Sequence, residues 1–200
     1  MQQPVLHLAS SSPRRRDILT TMGLSFSHAG VDIDETPARG EAVADMVLRV
    51  TCAKAQAAEQ TGQFTVPILA ADTTVALGER IFGKPVSKEQ AMEMLASLSG
   101  QSHQVLTAVA LLAKGRLRTA ISATLVTFRE ISPDEALAYW QSGEPQGKAG
   151  AYAIQGRGGI FVESLSGSYS GVVGLPVFET AQLLQAAEID VLTTRQAGHD

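Results

Sequence analysis

The chain has 200 residues, of which 44% are hydrophobic and 18% charged, a balance typical of a globular protein with a sizeable core. Its formal net charge of −4 argues against a large nucleic-acid interface, which would need a basic surface. With one cysteine no internal disulfide is possible, and with neither a basic leader nor an apolar run of about 20 residues we predict a cytoplasmic protein without a membrane span.

The first predicted strand, residues 5–9, is followed at once by a helix start that carries arginines. Ser12 is a suitable N-cap, and Pro13 suits the first helical position, where its missing N–H costs nothing. Arg14 and Arg15 would lie in the first turn, where cations are mildly unfavourable unless an anion offsets them. The helix start therefore indicates a phosphate site, with a basic surface cluster as the alternative.

An acidic stretch follows at residues 31–35, where apolar and acidic side chains alternate. The alternation would place Asp32 and Asp34 on one face of an extended segment. Together with Glu35 these carboxylates could hold Mg²⁺ through oxygen ligands, or they could form a solvated acidic loop.

The longest helical periodicity runs over residues 41–59. Lys54 falls on the apolar stripe of this predicted helix, four residues after Val50. A lysine on an inward face must either extend its ammonium to the surface or find a partner, such as a ligand phosphate.

Residues 68–71 form a short unbroken apolar run that Pro67 bounds on one side. Such a run is typical of a strand buried on both faces of a sheet. Asp72 and Thr73 follow where this strand is expected to end. Because ligands bind outside the carboxyl ends of strands in open α/β sheets, Asp72 is a candidate for chemistry; capping a turn or pairing with a base are the alternatives.

The next segments combine a tight loop with a helix. Residues 81–85 read as a loop in which Gly83 and Pro85 hold Lys84 in place, which suits a phosphate-binding role. Ser87 and Gln90 predict a capping box for a helix that ends near Leu98.

The second half opens with a predicted β-hairpin over residues 105–128 that turns at Lys114 and Gly115. Ser132 and Glu135 predict a second capping box, for a helix that ends near Ser142.

Nine of the 18 glycines lie between Gly143 and Gly174, which marks turns and close backbone approach. Neither the Walker nor the Rossmann glycine spacing is present. Within and after this region we predict a strand at residues 160–162, a last helix at about 175–187, and a frayed end from Thr193.

Five separated stretches together resemble the Maf family of nucleotide pyrophosphatases. They span most of residues 6–184 and occur in the family's order. They are Ser10-Ser11-Ser12-Pro13-Arg14-Arg15, Ala71-Asp72-Thr73, Gly83-Lys84-Pro85, Lys148-Ala149-Gly150-Ala151-Tyr152 and Gly174-Leu175-Pro176. The resemblance implies an α/β fold, like that of inosine triphosphatases, with a mixed twisted sheet flanked by helices. It also implies one domain over residues 1–200, formed by two lobes around a central active-site cleft.

The resemblance assigns roles to individual residues. Asp72 matches the catalytic base of the family, and Glu35 with Asp72 would hold a divalent cation, Mg²⁺ or Mn²⁺. The substrate would be bound by a further set of side chains: Arg14, Arg15, Lys54, Thr73, Lys84 and Gln155. A homodimer is common in the family, and is expected here.

The implied reaction is hydrolysis of a nucleoside triphosphate between the α and β phosphates. The sequences Ile154-Gln155-Gly156 and Gly167-Ser168-Tyr169 are similar to those of the subfamily that acts on dTTP and UTP, so modified pyrimidine nucleotides are also possible substrates. The amide of Gln155 offers a donor and an acceptor to a uracil or thymine edge. Since the family name derives from septum inhibition, a nucleotide-binding regulator of cell division is the alternative function.

Overall fold

The structure is a computed structural model that describes residues 3–192. Within these residues the strands are β1 Leu6–Ala9, β2 Phe26–Ala29, β3 Ile68–Leu77, β4 Arg80–Phe82, β5 Ser102–Ala113, β6 Arg116–Phe128 and β7 Val162–Ser166. The α-helices are α1 Pro13–Thr21, α2 Val43–Gln60, α3 Lys88–Leu98, α4 Pro133–Gln141, α5 Tyr169–Val173 and α6 Val177–Gln185. Two short 3-10 helices cover Ala149–Ala151 and Arg157–Phe161.

The described strands form one seven-stranded sheet in the order β2-β1-β3-β5-β6-β7, with β4 paired to β3. β1 runs parallel to both β2 and β3, whereas the pairs β3–β4 and β6–β7 are antiparallel. The sheet is therefore mixed, and the predicted α/β class is confirmed. The predicted hairpin is also confirmed, because β5 and β6 are neighbours and only Lys114 and Gly115 connect them.

The chain divides into two compact units. The first unit combines the chain up to Asp72 with Thr107–Ile121 and the segment from Gly174 onward. The second unit combines Thr73–Leu106 with Ser122–Val173. The division into lobes around a cleft stays a prediction.

The core of the first unit is built on both faces of the sheet, as the apolar run in β3 predicts. Leu69 and Ala71 belong to a cluster with residues of β1, α1 and α6. Ile68 and Ala70 belong to another cluster, which includes residues of α2. Successive residues of β3 thus serve opposite faces, in keeping with the alternation of side chains along a strand.

The core of the second unit is rich in aromatic rings. Phe128 makes T-shaped contacts with His103 and Tyr152, with ring centroids 4.8 Å apart in each case. Phe161 packs edge-on against Tyr139 at 5.2 Å. Such ring pairs stabilise a core beyond the area that they bury.

Helix starts agree with the sequence in position but not in every contact. Ser132 and Glu135 form the predicted capping box of α4. At α3 the prediction is half right, since Ser87 accepts a hydrogen bond from the Gln90 N–H but the Gln90 side chain accepts from Val86 instead of Ser87. Gln90 therefore binds the chain one residue before the helix cap.

Three predictions of local structure are wrong. β3 does not end before Asp72 but continues to Leu77, because its last three residues, Val75 to Leu77, pair with β4. Residues 160 and 161 belong to a 3-10 helix, so the strand there begins only at Val162. Residues 81 and 82, predicted as part of a loop, belong to β4 instead.

Three strands or α-helices among the described residues, β2, β4 and α5, were not predicted, nor were the two 3-10 helices. No helix within residues 3–192 is long and apolar enough to cross a membrane. The predicted frayed segment from Thr193 lies outside the described residues.

Candidate active site

Asp72 lies in the middle of β3 and points toward the side of the sheet that α2 covers. Alternation along the strand places it on the same face as Ile68 and Ala70, which pack with residues of α2. Its side chain is 13% exposed, so this carboxylate is largely removed from water. A carboxylate in this position needs a cationic or hydrogen-bonding partner.

Lys54 of α2 supplies that partner. Its Nζ lies 2.6 Å from Asp72 Oδ1 and 2.6 Å from Glu35 Oε1. The lysine is buried, as its place on the inward stripe of α2 predicts, while the Glu35 side chain is 46% exposed. We call these three side chains, Glu35, Lys54 and Asp72, the acid–lysine cluster.

Small residues allow α2 to come close enough for this contact. Ala55 and Ala58 of α2 are buried in one cluster with Ala70 of β3. Each offers only a methyl group, so the helix backbone can lie near the strand. Lys54 then reaches Asp72 from the position before Ala55.

The loop that carries Glu35 is tied to α2 by an arginine. Arg49 binds the carboxylate of Glu41 through Nε at 2.6 Å and Nη2 at 2.8 Å, and Nη2 also donates to the Thr36 carbonyl at 3.1 Å. Asp34 accepts from the Thr36 N–H at 2.9 Å, so it supports the loop. Of the acidic residues in this stretch, Glu35 is the one in contact with Lys54.

Arg15 of α1 is anchored to the turn before α6 and to the loop before α1. Arg15 donates from Nε to the Gly174 carbonyl at 2.8 Å and from Nη1 to Ser10 Oγ at 3.2 Å. These bonds fix the guanidinium against the turn before α6. The predicted N-cap position of Ser12 is confirmed, but its side chain makes no capping bond.

Electrostatics connect Arg15 to the acid–lysine cluster. The pKa of Arg15 is lowered from its usual value, chiefly by burial and also by the charge of Arg14. The carboxylates of Asp72 and Glu35 oppose this effect. Burial likewise lowers the pKa of Arg14. The structure thus brings four of the predicted residues together in the first unit, Glu35, Lys54, Asp72 and Arg15, and Arg14 is the neighbour of Arg15 in α1.

The other predicted residues lie in the second unit, and their part in the site stays a prediction. Thr73 follows Asp72 in β3 and, by alternation, faces the opposite side of the sheet. Lys84 is exposed beyond β4, in a loop anchored by the bond from the Gly150 N–H to the Gly83 carbonyl at 3.1 Å. Gln155 is exposed in a turn that the Gly156 N–H closes on the Ala153 carbonyl at 3.1 Å.

The donor set of the acid–lysine cluster suits a hard divalent cation. Two carboxylates, from Glu35 and Asp72, already converge on one cationic atom. Within residues 3–192 no group of three or more His, Cys, Asp or Glu side chains could hold a metal. Mg²⁺ commonly binds one or two carboxylates and completes its ligands with water and substrate phosphates, so a pair of carboxylates is sufficient.

Two contacts near predicted residues have no signal in the sequence. One is the bond of Arg49 to Glu41, which supports the loop of Glu35. The other is Glu144, whose carboxylate accepts hydrogen bonds from the backbone that follows Gln155. Both join residues eight or more positions apart, outside the reach of local patterns.

Comparison with known proteins agrees with the resemblance. Residues 5–187 match the Maf family model, described as Maf-like protein. A protein of Nitrosomonas europaea named dTTP/UTP pyrophosphatase is 50% identical over 198 residues, which cover 93% of this chain and 96% of that protein. A protein of the same name from Methylococcus capsulatus is 51% identical, covering 90% of this chain and 89% of that protein.

Among solved structures, the Staphylococcus aureus Ham1 protein is 16% identical, with a TM-score of 0.44. The match covers 90% of this chain and 96% of that one.

Proposed function

The chain belongs to the Maf family, and from that premise we propose that it is a nucleoside triphosphate pyrophosphatase that hydrolyses dTTP and UTP. The products are the nucleoside monophosphate and pyrophosphate. Relatives about half identical to this chain over nine-tenths of its length are named for this activity. The observation that carries the proposal is the acid–lysine cluster, in which a largely buried aspartate lies 2.6 Å from an ammonium.

In this proposal Asp72 orients the attacking water and accepts its proton. The water oxygen bonds to the α-phosphorus while the bond between that phosphorus and the bridging oxygen breaks, and pyrophosphate leaves. A positioned general base contributes typically about 10²–10⁴ in rate. The Lys54 ammonium, 2.6 Å from Asp72 Oδ1, holds the carboxylate in place before substrate arrives.

The cationic side chains would bind the polyphosphate. Arg15 is fixed by the Gly174 carbonyl and Ser10, so its remaining N–H groups have a defined direction. Arg14, next to it at the start of α1, adds a second guanidinium, and Lys84 would add an ammonium from the second unit. Charge-assisted hydrogen bonds to phosphate are about twice as strong as neutral ones.

A divalent cation, Mg²⁺ or Mn²⁺, would be held by Glu35 and Asp72 together with phosphate oxygens. When bound, it offsets the charge that develops on the phosphates. With both carboxylates bound in this way, Lys54 would be available to a phosphate oxygen, the partner that the sequence predicts for it.

Base recognition would lie with Gln155, whose amide N–H and C=O groups would pair with the pyrimidine edge. The family resemblance also assigns Arg14 and Thr73 to positions that determine nucleotide specificity. Cytosine reverses the hydrogen-bonding groups at N3 and C4, so it leaves a polar group of the site unpaired. Sites built on such bonds discriminate strongly.

The test is pyrophosphate release by the purified protein from a panel of nucleoside triphosphates, with Mg²⁺ and Mn²⁺ compared. We expect turnover of dTTP and UTP above that of CTP and the purine nucleotides, and none without a divalent ion. Asp72→Asn is the control for contaminating activity. Nucleotide binding without pyrophosphate release would contradict the proposal and favour the regulator of cell division.

A homodimer and a cytoplasmic location remain predictions of the sequence. Light scattering after size-exclusion chromatography tests the first, and fractionation of cells tests the second.

A further inference from the structure

The second unit contains a carboxylate whose partners are mostly backbone N–H groups. Glu144 Oε1 accepts from the Tyr139 hydroxyl at 2.7 Å and from the Gly158 N–H at 3.0 Å, and Oε2 accepts from the Arg157 N–H at 3.0 Å. The Tyr139 hydroxyl in turn accepts from the Ala153 N–H at 3.0 Å. We call Tyr139, Glu144 and these three N–H groups the glycine-turn clamp.

The glycine-turn clamp holds both ends of the segment that carries Gln155. Ala153 lies two residues before Gln155, and Arg157 lies two residues after it. Tyr139 is 5% exposed and belongs to α4. The exposed turn of Gln155 is therefore attached to a buried side chain.

The space around the glycine-turn clamp explains two of the glycines that follow Gln155. A Cβ at Gly156 would overlap the Glu144 carboxylate. A Cβ at Gly158 would come within 2.5 Å of the Tyr139 hydroxyl and 2.9 Å of the Ala153 carbonyl. Only glycine lets the backbone approach the carboxylate and the phenol this closely.

Charge strengthens the glycine-turn clamp. Burial raises the pKa of Glu144, but hydrogen bonds from Gly158, Tyr139 and Arg157 together lower it below its usual value. Burial, followed by the bond to Glu144, raises the pKa of Tyr139. At neutral pH the pair is thus a carboxylate and a phenol, and hydrogen bonds to a carboxylate are the stronger kind.

We propose that Glu144 and Tyr139 are positioning residues for base selection, which hold the turn of Gln155 in the geometry that distinguishes uracil and thymine from cytosine. The inference rests on the proposed function, in which Gln155 reads the base. Neither side chain acts on the phosphates, so their effect belongs to nucleotide affinity and selectivity. Displacement of a binding group by about 1 Å is enough to change recognition substantially.

The experiment compares Glu144→Gln, Tyr139→Phe and the double variant with wild type in kcat and KM for UTP and CTP. Glu144→Gln turns an acceptor into an NH₂ group that faces backbone N–H donors. We expect KM for UTP to rise about tenfold, kcat to change less than twofold, and the preference for UTP over CTP to fall about tenfold. The double variant should be no worse than Glu144→Gln by more than about twofold, because both changes release the same turn.

Glu135→Gln is the matched control. Glu135 also accepts from a backbone N–H, that of Ser132 at 2.9 Å, and lies in the same unit, but it supports the start of α4. This control should lower the melting temperature without changing the UTP-to-CTP ratio. Folded Glu144→Gln and Tyr139→Phe proteins with wild-type ratios would overturn the inference, as would an equal loss of kcat for both nucleotides.

Calorimetric binding of UTP and CTP without added metal separates this inference from the proposed function. If wild type releases no pyrophosphate, the proposed function fails, but a UTP preference in binding that Glu144→Gln abolishes would still support the inference. A wild type with no binding preference for UTP would overturn the inference directly.

Discussion

The acid–lysine cluster and the glycine-turn clamp both provide partners for carboxylates, but the partners are of different kinds. In the acid–lysine cluster the counter-ion is Lys54, an ammonium on a long side chain that can move to another anion. In the glycine-turn clamp the partners are backbone N–H groups and a buried phenol, which cannot move without unfolding the turn. The first arrangement suits a group that changes partners during a reaction, and the second suits a group that fixes geometry.

Each arrangement also predicts how its residues fail. Removing one partner of a buried charge pair leaves the other charge without compensation, which typically costs about 3–5 kcal/mol. Loosening a turn instead lowers selectivity and leaves the chemical step unchanged. The predictions below test whether the two regions divide their tasks in this way.

The largest expected effect is that of Asp72→Asn on turnover. Asparagine keeps the shape and an acceptor for Lys54 but cannot take a proton, so kcat should fall by about 10²–10⁴. Pyrophosphate release measures it, and a circular dichroism spectrum like that of wild type checks the fold. A variant that keeps more than half of the wild-type rate would show that Asp72 takes no part in the chemistry. The proposed difference in task between Asp72 and Glu144 would then be wrong.

The second prediction concerns stability, and it depends on a buried histidine in the second unit, not on the charged site of the first. Burial lowers the pKa of His103 to about 4, and His103 Nε2 lies 2.9 Å from the Tyr152 hydroxyl. The unfolded chain, with a histidine pKa near 6.5, therefore takes up a proton first as the pH falls. This contribution to stability is complete above pH 6.5 and declines by roughly 3 kcal/mol as the pH falls toward 4.

Urea unfolding between pH 7 and 4.5, followed by the fluorescence of Trp140 in the second unit, measures this decline. His103→Gln should flatten the profile, whereas His28→Gln, at an exposed histidine, should leave it steep. Burial and His28 also lower the pKa of His7, so some slope will remain in His103→Gln. Parallel profiles in wild type and His103→Gln would contradict the prediction.

The third prediction concerns the movable counter-ion. Lys54→Met leaves Glu35 and Asp72 without their shared ammonium and, in the proposed function, removes a group that binds phosphate. We expect a loss of roughly 1.5–3 kcal/mol of transition-state stabilisation, which lowers kcat/KM about 10–100-fold. Activity should recover in part at high Mg²⁺, since a divalent ion can take the place between the carboxylates.

Lys114→Met is the control for this variant. Its pair with Glu188 has both side chains 81% exposed, and exposed pairs contribute little. Loss of less than twofold in Lys54→Met, or no recovery with metal, would show that Lys54 is not the exchangeable partner of these carboxylates.

The smallest expected effect is that of Gln155→Ala, which tests selectivity in the segment that the glycine-turn clamp holds. The preference for UTP over CTP should fall by about tenfold or less, with little change in kcat, because a neutral hydrogen bond contributes about 1 kcal/mol. Steady-state kinetics with both nucleotides measure it, and Gln146→Ala, at an exposed glutamine of the same unit, serves as the control. An unchanged preference would place base recognition elsewhere.

The acid–lysine cluster could be predicted in part from the sequence because its signals are local. Helical periodicity placed Lys54 on the inward face of α2, and the apolar run before Asp72 marked a buried strand. What these signals could not provide was the pairing itself, because it joins residues 18 positions apart. The predicted strand end was wrong because an aspartate is rare in strands, whereas β3 continues past Asp72 and pairs with β4 from Val75 to Leu77.

The glycine-turn clamp could not be predicted in the same way. Glu144 is a lone glutamate between Gly143 and Pro145, which reads as an ordinary polar loop. Its partners are N–H groups 13 and 14 positions later, and backbone groups have no sequence signature. The density of glycine correctly indicated close approach, but the sequence did not say to what.

The alternation of side chains along β3 restricts where related chains can gain or lose residues. Asp72 shares a face with Ala70 toward α2, while Leu69 and Ala71 serve the other face. Inserting or deleting one residue between Ile68 and Asp72 would turn the carboxylate to the opposite side of the sheet, away from Lys54. Descendants that keep the acid–lysine cluster must therefore inherit the spacing of the strand as strictly as the aspartate itself, and gains or losses of residues will accumulate in loops.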